Sequence, residues 1–463
     1  MTPTTSSAAA PTDVAEPTAV LGTTSALLLI VGVVVGAGIF KAPSLVAGMT
    51  GSPAWMFAAW ILGGAISIVG ALCYAELATA WPHAGGDYHF LRRAYGANIS
   101  FLYAWARYSV IATGSIALLA FVFGDYVQQV FPLGAHGAAL WAAIVILAMW
   151  AVNAFGLRVG ASAQGWLTAL EVGGLLLLVV AALMIGGASP PAVATTAAPV
   201  ATPSPGAFGL AMVFVLLTYG GWNEAAYISA EVRERRSIVR ALVLSIVLIT
   251  ALYLLVNWAY LSGLGFERMA KSDAVAADLM RAAFGPVGDT VISLLVAVAA
   301  ITSINATMIV GARTHYAAGR DWPALRALAL WDARGTPARA MRLQNLTALA
   351  LVALGAALGG GFRAMVEFTA PVFWLFFLLV GIALFVLRVR EPGRERPFKV
   401  PLYPVLPALF CLSCAYMLWS SLSFVSSQSL GGMNAAWIGV AVLALGAVLL
   451  AVVRHRSRLK GTP

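Results

Sequence analysis

The sequence predicts an all-α polytopic membrane protein crossing the bilayer with twelve transmembrane helices, and three observations carry that prediction. Of the 463 residues, 61% are hydrophobic and only 10% charged, whereas a soluble chain carries about 25% charge. The mean hydropathy is +0.89. Apolar runs of roughly 18 residues or more recur along the whole length, each enough to cross a ~30 Å hydrocarbon core. Finally, the basic residues between those runs alternate in density from one loop to the next, as they do in membrane proteins.

The runs fall near 25–47, 54–80, 98–123, 138–155, 162–186, 207–229, 238–264, 287–316, 343–358, 362–387, 402–424 and 434–453. The ninth and tenth are separated only by "GGGF" at Gly359–Phe362, and the Ala-, Pro- and Thr-rich stretch Gly187–Pro205 reads as a flexible loop. Four regions follow: a disordered tail at 1–22, a core at 23–390 holding spans one to ten, spans eleven and twelve within 391–453, and a basic tail at 454–463. The tail at 1–22 lacks the basic flank and cleavage pattern of a signal peptide, so the first span is expected to be retained.

An even number of spans puts both termini on one side. Loops and tail on that side hold 22 Lys and Arg, against 4 in the opposite loops, with Lys41 and Arg107 inside spans. The positive-inside rule then predicts cytoplasmic termini in a plasma (inner) membrane. The excess of arginine (24) over lysine (4) points to a bacterial source. The same asymmetry accounts for the net charge of +10 without nucleic acid, since no soluble domain carries a basic stripe. Cys73, Cys411 and Cys414 all lie in predicted spans. "CLSC" at Cys411–Cys414 has no His or carboxylate beside it, so no metal site, disulfide framework or disulfide-linked partner subunit is expected. No HExxH, GxSxG or catalytic carboxylate pair occurs, so no enzyme, catalytic residue or cofactor is implied.

Two spans break the rule that a membrane helix stays continuous. "GVVVGAGIF" at Gly32–Phe40 interrupts the first, and "TYGGWN" at Thr218–Asn223 interrupts the sixth. Each glycine costs roughly 1 kcal/mol relative to alanine in a helix, and lipid offers a freed backbone no partner. Gly32 and Gly36 alone would suit close helix packing. Two clusters at matched places, five spans apart and therefore in opposite orientations, point instead to an inverted repeat of spans 1–5 and 6–10 with a binding site at its breaks.

At these residues the chain resembles the amino acid–polyamine–organocation superfamily of transporters, and within it the L-type amino acid transporter-like group. The matching stretches are "GAGIF" at Gly36–Phe40, "GALCYAEL" at Gly70–Leu77, "AGGDYHFLRRAYG" at Ala84–Gly96, "YGGWN" at Tyr219–Asn223, "GRDWP" at Gly319–Pro323 and "RPFKVPLYP" at Arg396–Pro404. The resemblance implies a five-plus-five inverted repeat with two extra spans. It also implies secondary active transport of amino acids by alternating access. The substrate carboxylate would meet the backbone N–H groups of Gly36, Ala37, Gly38 and Ile39, at a helix N-terminus. The ammonium would meet carbonyls near Val34 and at Leu217, Thr218 and Tyr219, with Gly220, Trp222 and Asn223 completing the pocket. In many relatives an aromatic side chain gates the substrate where this chain has Leu217.

In "QGWLTALE" at Gln164–Glu171, Glu171 stands where the family often has a lysine. A carboxylate in a span is costly and usually functional, and a low dielectric disfavours its ionised form. Proton coupling, a structural hydrogen bond and selection of a cation are the three readings of Glu171. Amines or polyamines are the rival substrates, exchange is the rival to symport, and a nutrient sensor is the rival class. Among the other polar residues, Glu76 is expected to bond an arginine or loop backbone, and Arg107 to pair with a carboxylate, snorkel or select substrate. Asn305 should join neighbouring helices, and Glu224 could face the lumen. Lys41 should reach outer water, and His83 and His89 should be solvated.

Overall fold

The computed structural model describes residues 31, 34–83, 85–154, 161–186, 202–223, 235–322, 326, 328, 338–425, 429 and 432–459. Among them the regular structure is helical. A 3-10 turn, Ala37–Phe40, leads into α1 (Ala42–Thr50), and α2 (Pro53–Ala80), α3 (Asp87–Tyr95) and α4 (Ala97–Val130) follow. The chain continues through α5 (Gly137–Ala154), α6 (Ala161–Gly186), α7 (Pro205–Thr218), α8 (Arg235–Leu264) and α9 (Phe266–Lys271). It ends with α10 (Val275–Asp321), α11 (Ala338–Ala357), α12 (Phe362–Arg390), α13 (Val405–Ser423) and α14 (Ala435–Leu459).

Nine helices among the described residues are long and apolar enough to cross a membrane, so the chain is a multi-pass membrane protein. Two shorter apolar helices, Ala169–Ile185 and Pro205–Thr218, fall in the expected fifth and sixth spans. The helix boundaries follow local chemistry. Ser52 caps α2 by accepting from the Trp55 N–H, and Ser204 caps α7 through Ala207, each with proline in the first turn. The expected loop at Gly187–Pro205 therefore ends earlier, while 187–201 lie outside the described residues. The "GGGF" break divides α11 from α12 as expected, with Gly361 at φ 42°. Gly285 at φ 65°, followed by Pro286, kinks α10.

Lipid tails are as apolar as leucine, so close packing rather than hydrophobicity holds such helices together. Small residues let α2 approach the sixth-span break. A Cβ at Gly63 would lie 2.3 Å from Val215, and one at Gly70 would lie 2.5 Å from Trp222. Polar groups add specific joins: Asn153 donates to Asn305 at 2.7 Å, tying α5 to α10 as expected. Glu76, fully buried near the end of α2, accepts from Arg388 at 2.7 and 2.5 Å and from the Val400 N–H at 2.7 Å, matching both expected partners.

Two expectations are corrected here. Lys41 does not reach water. It is buried, with its ammonium 2.7 Å from Asp125 of α4 and donating to the Asp273 carbonyl, because a charge inside the bundle needs fixed partners. His89 is half-buried rather than solvated, its ring stacked on His83 with centroids 4.2 Å apart.

Candidate functional site

The first expected break is a real change of backbone. Val34 ends helical geometry, Gly36 is extended (φ −139°, ψ −173°), and the 3-10 turn restarts the chain toward α1. The second follows α7, where Tyr219–Asn223 form turns and Gly221 adopts φ 112°, a conformation that favours glycine. The two breaks face each other, for a Cβ on Gly38 would sit 3.5 Å from the Thr218 side chain. One hydroxyl joins them. Tyr253 of α8 places its oxygen 3.2 Å from both the Val34 and the Thr218 carbonyls, sharing one proton between the two broken helix ends.

Between the breaks lies a cavity of about 380 Å³. Of the residues expected at the site, it is lined by Val34, Gly36, Ala37, Gly38, Glu171, Leu217, Thr218, Gly220 and Asn223. The side chains of three others lie elsewhere. Ile39 is buried in the core, because the 3-10 turn points it away from the opening. Tyr219 is also buried, donating its hydroxyl to the Trp60 carbonyl and packing on Trp60 and Tyr253. Trp222 packs on Tyr74, Phe377 and Phe410 behind the cavity. The Leu217 carbonyl accepts from the Gly220 N–H at 3.0 Å, and the Val34 and Thr218 carbonyls share Tyr253. An ammonium arriving at these carbonyls would therefore find part of their capacity taken. Glu224 lies outside the described residues.

Glu171 is 5% exposed, lines the cavity from α6, and makes no ion pair or hydrogen bond among the described residues. The remaining polar lining was not expected from the sequence: hydroxyls of Ser115, Thr302, Ser303 and Thr307, with Asp87 and Tyr103. Arg107, for which substrate selection was one of three readings, lines the cavity too and donates to the Tyr103 hydroxyl at 3.2 Å. Phe362, Phe373, Phe376 and Phe377 supply an aromatic wall from α12. Tyr253 is the other missed residue. A lone tyrosine in an apolar run carries no signal of its partners. No group of His, Cys, Asp and Glu among the described residues could hold a metal ion.

A helical membrane bundle with a polar cavity between two irregular backbone segments has the architecture of a transporter, in which irregular backbone is tolerated because it lines a cavity. The profile of the family described as amino acid permease matches residues 21–448, and the chain belongs to that family, as an L-type amino acid transporter-like permease. It is similar to the human (Homo sapiens) b(0,+)-type amino acid transporter 1, with 30% identity over 403 residues, covering 86% of this chain and 81% of the relative. The mouse (Mus musculus) Asc-type amino acid transporter 1 is 29% identical over 448 residues, covering 92% and 81%. The mouse large neutral amino acids transporter small subunit 2 is 29% identical over 411 residues, covering 86% and 76%. Family and relatives are transporters, so the chain is a permease and not an enzyme.

Proposed function

We propose that this permease moves amino acids across the plasma membrane by alternating access, with the cavity between the two breaks as its substrate site. The observation that carries this reading is the pair of facing breaks around one cavity. Gly36, Ala37 and Gly38 offer backbone to the substrate carboxylate at the start of an outward helix segment, where the helix dipole favours an anion. Carbonyls at Val34 and Thr218, with Asn223, take the ammonium, and Tyr253 gives up its proton-sharing position as they do so. Leu217 and the α12 phenylalanines face the substrate side chain. The names of the similar relatives, which are amino acid transporters, support this substrate class.

The same reading takes the described helices as parts of twelve spans, a five-plus-five inverted repeat at 23–390 with spans eleven and twelve within 391–453, and both termini cytoplasmic. It assigns Glu171 as the coupling residue. A carboxylate with no fixed partner among the described residues, facing a cavity whose water access alternates, can take a proton on the outer side and release it inward. No disulfide-linked subunit is part of this reading, although one relative is named a small subunit.

The test is uptake of labelled amino acids and amines into liposomes, with stepped external pH. Accumulation of amino acids that rises with an inward proton gradient in wild type, and is lost in Glu171→Gln with binding retained, is the expected result. Uptake indifferent to the gradient would make the chain an exchanger. Decarboxylated amines competing as well as the free acids would make it an amine carrier. In the same assay Gly38→Val should reduce binding at the cradle at least tenfold while the protein still folds. A Cβ there meets Thr218 only at ordinary contact distance, but the branched methyls occupy the space the carboxylate needs.

A further inference from the structure

One part of the cavity wall carries a charge arrangement that the transport reading leaves unused. Tyr103 and Arg107 stand one turn apart on α4, and Arg107 opens a π-helical segment, Arg107–Ile111. Such widened turns are frequent at functional sites. Arg107 donates to the Tyr103 hydroxyl at 3.2 Å, and that hydroxyl donates to Asp87 at 3.1 Å. Asp87 is the first residue of α3, is 3% exposed, and lines the same cavity as the other two. Tyr103 packs edge-on against Phe376 of α12, with ring centroids 5.2 Å apart.

This trio belongs to a different level of α4 from the one that meets the 3-10 turn. Phe40, at the end of the 3-10 turn, accepts a hydrogen bond from Tyr126 at 2.6 Å. Tyr126 lies about 28 Å further along α4 than Arg107, at ~1.5 Å rise per residue. Phe40 and the trio thus meet α4 nineteen residues apart, while cradle and trio line one cavity.

We propose that Asp87, Tyr103 and Arg107 form a second, inner binding site for the amino acid zwitterion. This rests on the transport reading and deepens it. A guanidinium and a carboxylate bridged by one hydroxyl offer opposite charges to the two charged ends of an α-amino acid. Arg107 and the Tyr103 hydroxyl receive the substrate carboxylate. Guanidinium is suited to this because it is planar, weakly hydrated and always charged, and hydrogen bonds between ionised partners are about twice as strong as neutral ones. Asp87 receives the ammonium, and the face of Phe376 lies beside the side chain. The site holds substrate between the cradle and the water on the α3 side of the protein. A methyl ester or a decarboxylated amine satisfies only half of it.

The experiment is equilibrium binding of labelled L-leucine and L-alanine to the full chain in lipid nanodiscs, counted per protein. Wild type should bind two molecules per chain of whichever it transports. Arg107→Gln and Asp87→Asn should each bind one, and Gly38→Val should bind one that L-leucine methyl ester does not displace. Tyr103→Phe removes only the bridging hydroxyl and should weaken the inner site several-fold without lowering the thermal midpoint. It therefore keeps the test valid if a charge variant misfolds. A single molecule bound in wild type, with unchanged affinity in Tyr103→Phe, would overturn the inner site while leaving the cradle standing. Loss of all binding in Gly38→Val would also overturn it. Absence of binding and of uptake for every amino acid in wild type would remove the transport reading and the inner site together.

Discussion

The two ends of the bundle are tied together by different chemistry. At the end bearing Glu76, many bonds converge from distant parts of the chain. Arg388 and Val400 hold Glu76, Arg93 and the Trp81 indole hold Glu391, and Arg394 and Arg390 donate to the Ala80 and Ala94 carbonyls. The guanidinium of Arg388 also lies 3.7 Å above the Tyr403 ring. At the other end one buried lysine, Lys41, joins Asp125 and the Asp273 carbonyl. The difference is one of position as well as number. Lys41 directly follows the 3-10 turn, so its bonds restrain the cradle itself, whereas the arginine network joins α2, α3 and α12 outside both breaks. A dense network redundantly placed is a structural clamp. On the proposed alternating-access reading, the Lys41 contacts beside the first break act as a gate.

Removing a charge from the clamp should have the largest effect on stability. Glu76→Gln leaves Arg388 largely buried without its anion, and breaking a buried pair costs about 3–5 kcal/mol. The thermal midpoint of detergent-purified protein should fall by several degrees, with substrate affinity in the surviving folded fraction near wild type. A midpoint within a degree of wild type would show that the network is redundant enough to lose its centre.

Lys41→Met should cost less stability, about 2 kcal/mol, as one charged hydrogen-bond set is lost and Asp125 keeps some access to water. Its larger consequence is conformational. With the gate bonds gone, a cysteine placed at Ser115, which lines the cavity, should react several-fold faster with an impermeant thiol reagent added outside. The same cysteine in a Glu76→Gln background should show no such gain from that side. Equal gains in both would erase the distinction between gate and clamp.

How much of this was legible in the sequence follows from what the bilayer demands. Long apolar runs are obligatory for spanning, so each of the nine membrane-length helices among the described residues overlaps one of the twelve runs read from the sequence, and even the narrow "GGGF" division could be read directly. The breaks were legible because glycine is expensive where helix is required. The orientation of single residues at those breaks was not. Periodicity assigns faces only along regular helix, so the packing of the Ile39, Tyr219 and Trp222 side chains away from the cavity could not be read from the sequence. Partners remote in sequence were equally hidden. Nothing near Lys41 announces Asp125, and nothing near Val34 announces Tyr253. Glu76 was anticipated because a buried carboxylate at the end of a span, in a chain rich in loop arginines, has few other options.

The smallest expected effect lies in a histidine of α3, the helix that also carries Arg93, and its sign can be worked out. His89 sits in α3, outside the spans, and its imidazole is pushed down to about 4, first by burial and then by His83, Arg93 and Arg92. An unfolded histidine titrates near 6.5. Between those values the unfolded chain takes up a proton that the folded protein refuses, so stability is complete above about pH 6.5 and declines as pH falls toward 4. The group is only half-buried, and solvent screening limits the loss to about 1 kcal/mol. His89→Asn removes the titration. Thermal midpoints measured from pH 7.5 to 5 should therefore drop more steeply for wild type than for the variant, by two or three degrees at the acid end. Lys41→Met, which touches only the other end, should leave that difference in slope intact. Parallel slopes for wild type and His89→Asn would place the acid sensitivity elsewhere in the molecule and leave the clamp insensitive to pH.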